Sequence, residues 1–107
     1  MEEKSRLEQF RELAEMDPED PVVHYGLGSE CLKAKLFDEA VRAFRRAIEL
    51  KLDYSAAYRE LGKALEGAGQ REEAIAAYHK GKEVAGKTGD LQTGKEMDVF
   101  LRRLKAD

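Results

Sequence analysis

One segment of the sequence matches a signature that binds nucleotide phosphates. Residues 81–88, Gly-Lys-Glu-Val-Ala-Gly-Lys-Thr, satisfy the spacing G-x-x-x-x-G-K-T. That chemistry needs a strand before the loop and a helix starting at the lysine, so that backbone N–H groups converge on the phosphates. Here residues 74–80 have a helical pattern, and no apolar strand ending in Asp is present to hold magnesium. We interpret the match as a coincidence and keep a nucleotide-binding enzyme only as an alternative.

A histidine and the single cysteine could act together as a base and a nucleophile. His24 and Cys31 lie seven residues apart, on one face of a helical pattern. Nucleophilic catalysis also needs a third group that orients the base, and the sequence offers none at a suitable position. A thiol among apolar residues is inert, and the two histidines and one cysteine do not have the spacing of metal ligands. We therefore predict a protein that is not an enzyme, with no catalytic residue, metal or cofactor.

The composition indicates a single helical domain. The chain has 107 residues, of which 42% are hydrophobic and 38% charged, a mixture typical of amphipathic helices. A net charge of −3 does not favour a nucleic-acid partner. The longest apolar run has five residues, 74–78, too few to span a membrane. With one cysteine and no apolar stretch at the N-terminus, the sequence predicts a cytoplasmic protein.

The elements that would position any site are repeated in the sequence. The sequence superimposes on itself when Leu27 is placed on Leu61, and we call the distance between these two residues the repeat period. At this shift small and apolar positions coincide, whereas most polar positions differ. The identical pairs are Leu27 and Leu61, Gly28 and Gly62, Ala34 and Ala68, Glu39 and Glu73, Ala40 and Ala74, Ala43 and Ala77, and Glu49 and Glu83. Within each unit, the apolar spacing of i, i+3, i+4 and i+7 predicts two helices joined by a short turn. Short turns between helices of similar length favour antiparallel hairpins.

This pattern resembles the tetratricopeptide repeat family. That family places an aromatic residue before Leu-Gly in the first helix and Ala followed by an aromatic residue in the second. The second unit here has Tyr58, Leu61-Gly62, Leu65, Ala74 and Tyr78, and the first has His24, Leu27-Gly28, Cys31, Ala40 and Phe44. The resemblance implies an all-α, right-handed solenoid of antiparallel helix hairpins.

The repeats divide the chain into four segments of a single domain, 1–107. Two full repeats are predicted at 21–54 and 55–88. Residues 3–16 resemble the second helix of a truncated repeat, because Phe10 precedes Phe44 by one repeat period. The register fails downstream, where Lys95-Glu96 stands in place of Leu-Gly, and we predict a capping helix at 90–105 with Asp90 as its N-cap.

Lys35 departs from the family pattern at the end of a first helix. Gly69 occupies the equivalent position of the next repeat, where the chain turns between two helices. A left-handed backbone at Lys35 costs about 1 kcal/mol relative to glycine. We therefore predict that Lys35→Gly is neutral or stabilising.

The resemblance also implies a binding surface, because the first helices of the family line a concave face that holds extended peptides. We predict a scaffold or adaptor that binds a peptide or partner protein there. The bound peptide would have an apolar anchor residue and an acidic group. The predicted residues are Val22, Tyr25, Ser29, Leu32, Arg59 and Lys63. Family members that clamp chaperone tails use Asn in that clamp, and this chain has none. An alternative is a homo-oligomer built through the end helices, so we expect a monomer or a weak homodimer.

Overall fold

The computed structural model describes residues 4–105, which form six α-helices and no strand. The helices are α1 (Arg6–Met16), α2 (Pro21–Lys33), α3 (Phe37–Leu50), α4 (Ser55–Gly67), α5 (Arg71–Thr88) and α6 (Leu91–Lys105). Residue 3 of the predicted half-repeat lies outside the described residues. The all-α prediction is confirmed.

Polar caps and left-handed residues set the limits of the helices. Asp20 Oδ1 accepts a hydrogen bond from the Val22 N–H at 2.9 Å, next to Pro21 at the first helical position. At the end of α2, Lys35 has φ 59°, and Gly69 and Gly89 have φ 77° at the ends of α4 and α5. The residue after each donates its N–H to a carbonyl five residues back, which satisfies the end of the helix.

Each hairpin is held by an aromatic ring that rests on a glycine of the facing helix. The ring of Phe44 in α3 lies on Gly28 of α2, and the ring of Tyr78 in α5 lies on Gly62 of α4. A Cβ atom at either glycine would overlap the ring, so the two backbones approach closely only because no side chain intervenes. Both rings are fully buried.

Ion pairs that repeat with the sequence period connect the second helices. Arg11 of α1 pairs with Glu39 of α3 at 2.7 Å, and Arg45 of α3 pairs with Glu73 of α5 at 3.1 Å. Arg45 lies one repeat period after Arg11, and Glu73 lies one repeat period after Glu39. The helix α1 therefore occupies the place of a second helix before the first repeat.

The last helix occupies the place of a first helix. Met97 and Leu101 are buried against α5, as Leu61 and Leu65 of α4 are buried in the preceding unit. The spacing from Leu61 to Met97 is two residues longer than the repeat period, because α5 is four residues longer than α3 and is followed by a shorter turn. Asp90 immediately precedes this helix, and its Oδ1 accepts from the Thr93 N–H at 3.4 Å.

Candidate partner-binding face

The helices α2, α4 and α6 lie side by side and form one surface, which we call the first-helix face. Arg59 of α4 spans all three helices. Its Nη2 donates to the Tyr25 hydroxyl of α2 at 3.4 Å, and its Nη1 lies 3.1 Å from Glu96 Oε1 of α6. The structure thus brings together Tyr25 and Arg59, two of the six residues predicted from the sequence.

The other four predicted residues differ in the solvent exposure of their side chains. Val22, at the start of α2, is 64% exposed. Lys63 is half-exposed one turn after Arg59, and Ser29 is half-buried. Leu32, like Tyr25, is half-buried and packs against the core.

Aromatic rings form the apolar part of the first-helix face. The Tyr25 ring stacks on Tyr54 with centroids 5.1 Å apart, and it meets the edge of Phe44 at 5.7 Å. Burial, and secondly the negative charge of Glu60, raise the pKa of the Tyr25 phenol. The hydroxyl therefore stays protonated at neutral pH and is available as a hydrogen-bond donor.

An ionic network neutralises Arg59. Its Nε lies 2.8 Å from Glu60 Oε2, and its side chain is only 19% exposed. Burial disfavours the charged guanidinium, but the hydrogen bond and charge of Glu60 outweigh it and raise the Arg59 pKa. Because Glu60 and Glu96 both contact it, Arg59 is fixed as a structural bridge between the three helices.

A second group of residues surrounds a half-buried ring on α6. Lys63 Nζ lies 5.5 Å from the Phe100 ring centroid, and the Arg103 guanidinium lies 5.6 Å from it. Lys63 also pairs with Glu60 at 3.3 Å, and Arg103 with Glu66 at 2.5 Å. Two cations therefore flank an aromatic ring at the surface between α4 and α6.

The sequence analysis did not include Tyr54, Glu96, Phe100 or Arg103 in the site. Three of these belong to α6, for which we predicted a cap and no binding surface. A spacing two residues longer than the repeat period places Glu96 on Glu60 and could have indicated this residue. At that longer spacing Val99 corresponds to Lys63, and Phe100 and Arg103 fall on the same side of the helix.

The candidate phosphate-binding loop and the candidate nucleophile both lie within packed helices. Residues 81–88 continue α5, so their backbone N–H groups do not form a phosphate-binding loop. Gly81 is buried, and a Cβ there would lie 2.6 Å from Tyr58 Cβ. Burial, followed by the charge and hydrogen bond of Glu39, raises the Cys31 pKa to about 11, and His24 Nε2 lies 2.8 Å from the Pro18 carbonyl oxygen.

Among residues 4–105 there is no group of three or more His, Cys, Asp or Glu side chains arranged to hold a metal ion. None of the helices in that range combines the length and the apolar character needed to cross a membrane.

The repeat pattern and the packing match a known family. A tetratricopeptide repeat model matches residues 7–51 and 32–83. The chain belongs to the tetratricopeptide repeat family. It is 37% identical over 86 residues to a TPR repeat-containing protein of Pseudomonas aeruginosa, covering 80% of this chain and 82% of the relative.

Two further similarities concern another relative and a solved structure. The chain is 36% identical over 75 residues, or 69% of its length, to the peroxisomal targeting signal receptor of Eremothecium gossypii, of which it covers 13%. A solution structure of a Bordetella parapertussis protein superimposes with a TM-score of 0.84 at 32% identity, covering 97% of this chain and 90% of that one. Proteins of this family are generally interaction modules and not enzymes.

Proposed function

We propose that the chain binds an extended peptide segment of a partner protein on the first-helix face. The observation that carries this proposal is the combination of an exposed apolar residue with a supported aromatic pair. Val22 is largely exposed, and Tyr25 beside it is held by Tyr54 and by the Arg59 hydrogen bond. Rigid aromatic side chains lose little conformational entropy when they bind, so they are suited to anchoring a peptide.

The charged residues of the face indicate where a peptide carboxylate would bind. Arg59 already has two carboxylate partners, Glu60 and Glu96. Lys63 and Arg103 are more exposed, at 39% and 57%, and both flank the Phe100 ring. We infer that an apolar peptide side chain contacts Val22 and Tyr25, while an acidic group farther along the peptide lies between Lys63 and Arg103.

One relative supports a peptide ligand. The Eremothecium gossypii protein is named as a receptor for a targeting signal, and this chain aligns with a small part of it. That name concerns the relative alone. A cytoplasmic location and a function without a cofactor also remain predictions.

Selection from a random peptide library provides a ligand for a direct test. Titration calorimetry then compares the wild type with Val22→Asp and Lys63→Glu, two substitutions at exposed positions. Each variant should weaken binding by roughly tenfold, which corresponds to about 1.4 kcal/mol. Arg59→Glu is unsuitable, because it would place a third carboxylate beside Glu60 and Glu96 and disturb the fold.

The matched control is Arg42→Glu, which reverses an exposed cation on the second helix of the first repeat. It should leave the affinity within about twofold of the wild type. If Arg42→Glu weakens binding as much as Lys63→Glu does, or if Val22→Asp has no effect, the peptide binds elsewhere and the proposal is wrong.

A further inference from the structure

The hydroxyl of Tyr25 has a defined polarity on the first-helix face. Arg59 Nη2 lies 3.4 Å from the hydroxyl oxygen. Because a guanidinium has only N–H donors, Arg59 donates in this bond and the Tyr25 oxygen accepts. Within residues 4–105 this is the one hydrogen bond that the hydroxyl makes. Its own hydrogen therefore points away from the guanidinium and is left to a ligand.

The ring that carries this hydroxyl is held by its neighbours. Tyr54 stacks on one face of the ring, with the two planes inclined by 20°. The fully buried ring of Phe44 meets it at an angle of 69°. Lys51 Nζ lies 5.2 Å from the centroid of the Tyr54 ring and supports the stack through a cation–π contact. Because the ring is already ordered, a ligand that bonds to its hydroxyl costs the protein little conformational entropy.

The charges around the hydroxyl favour an uncharged ligand group at this point. Arg59 has Glu60 at 2.8 Å and Glu96 at 3.1 Å. Lys63 adds one cation, 3.3 Å from Glu60. Two cations are thus matched by two carboxylates, and no net positive charge is left to attract an anion. Burial, followed by the charge of Glu60, raises the pKa of the Tyr25 phenol, which agrees with surroundings that oppose added negative charge.

We propose that the Tyr25 hydroxyl, whose oxygen is held by Arg59, donates a hydrogen bond to a neutral carbonyl oxygen of the bound peptide. This inference rests on the proposed peptide binding and adds a rule of selection to it. Near Val22 and Tyr25 the peptide presents an apolar side chain and an uncharged acceptor. Its acidic group lies farther along the face, between Lys63 and Arg103. The acceptor belongs either to the peptide backbone or to an Asn or Gln side chain, which offer the same carbonyl chemistry.

Removal of one oxygen atom tests the donor. Tyr25→Phe keeps the ring that stacks on Tyr54 and contacts Phe44 but lacks the hydroxyl. In titration calorimetry with a library-selected peptide it should bind roughly fivefold more weakly, the loss expected for one neutral hydrogen bond. Tyr58→Phe is the matched control, because Tyr58 packs beside Gly81 of α5 and away from this hydroxyl. It should bind within about twofold of the wild type.

Peptide analogues identify the acceptor. In one series each backbone amide is replaced in turn by an ester, whose carbonyl is a weaker acceptor, and in the other each Asn or Gln is replaced by Ala. One analogue should bind the wild type roughly fivefold more weakly but bind Tyr25→Phe as well as the parent peptide does, because both changes remove the same bond. A displacement of Arg59 in Tyr25→Phe would instead weaken the binding of all analogues equally.

A comparison of Asp with Asn tests the preference for a neutral group. Each is placed in the peptide at the residue that carries the identified carbonyl, so that the two peptides differ in charge and hardly in shape. The Asp peptide should bind the wild type at least roughly fivefold more weakly than the Asn peptide does, because Glu60 and Glu96 repel its carboxylate.

Three results would overturn the inference while the peptide still binds on the first-helix face. One is wild-type affinity in Tyr25→Phe. Another is a loss of affinity in Tyr25→Phe that is the same for every analogue. The third is an Asp peptide that binds as tightly as the Asn peptide. In all three cases Val22→Asp and Lys63→Glu still weaken binding; if these two variants have no effect, the proposed function and this inference are both wrong.

Discussion

Lys35 adopts a left-handed backbone at the end of α2, whereas the ends of α4 and α5 have a glycine in this conformation. Its φ of 59° agrees with the expectation from the sequence, and Gly69 has φ 77° at the equivalent turn. Lys35→Gly removes the strain of a Cβ in this conformation but increases the entropy of the unfolded chain. We expect a change in the free energy of unfolding between zero and a gain of about 1 kcal/mol.

The reciprocal substitution is the control for Lys35→Gly. Nothing lies within 4 Å of a Cβ built on Gly69, so Gly69→Lys tests the backbone conformation alone. It should destabilise the protein by about 1 kcal/mol in urea unfolding. A clear loss of stability in Lys35→Gly would contradict the role assigned to this turn.

Cys31 makes the stability depend on pH in the alkaline range. Burial first, and then Glu39, raise its pKa from 9.0 to about 11. The folded protein therefore holds the thiol proton between pH 9 and pH 11, whereas the unfolded chain releases it. The stabilisation is complete below pH 9 and is lost as the pH rises through this window, by up to about 1.4 kcal/mol per pH unit.

Comparison with Cys31→Ala isolates the contribution of the thiol. The variant lacks the ionisable group but keeps the tyrosines, whose pKa values are also raised by burial. Urea unfolding from pH 8 to pH 11 should show a shallower decline for Cys31→Ala than for the wild type. Parallel curves would mean that the thiol of Cys31 ionises as readily in the folded protein as in the unfolded chain.

At the scale of the elements, each hairpin depends on a glycine under an aromatic ring. Gly62→Ala places a methyl group against the Tyr78 ring, which is fully buried and donates its hydroxyl hydrogen to Glu66. Because the ring cannot move outwards, the two helices must separate, and we expect a loss of about 1–3 kcal/mol.

Gly86→Ala is the matched control for this substitution. Gly86 lies in α5, is exposed, and has no atom within 4 Å of a built Cβ. The same change should stabilise the protein by about 0.5–1 kcal/mol, because alanine favours the helix. Thermal unfolding of both variants measures the difference; equal effects would show that helix propensity, and not the contact with Tyr78, determines the result.

The elements differ in how well the sequence predicts them. The hairpins α2–α3 and α4–α5 follow from residues that recur with the repeat period, because the same close packing requires the same small residues. The helix α6 was predicted, but its contribution to the first-helix face was not. Because α5 is longer than α3, the residues of α6 are displaced by two positions from the repeat period. The sequence placed Arg59 on the first-helix face. Its ion pairs with Glu60 and Glu96 were not predicted, because they depend on how the three helices are placed in space.

At the scale of the whole molecule, the stacked helices separate two kinds of surface. The sides of the stack present α2, α4 and α6 in one row, whereas its ends present α1 and α6. A peptide that binds on the row would therefore leave α3 and α5 free of contact.

The most direct test of the proposed peptide binding is to map the amide shifts of the isotopically labelled protein by NMR while a library-selected peptide is added. We expect the largest changes in α2, α4 and α6, around Val22, Tyr25, Lys63 and Phe100, with α3 and α5 nearly unchanged. Changes concentrated on the exposed sides of α3 and α5, with Tyr25 and Phe100 unaffected, would contradict the account.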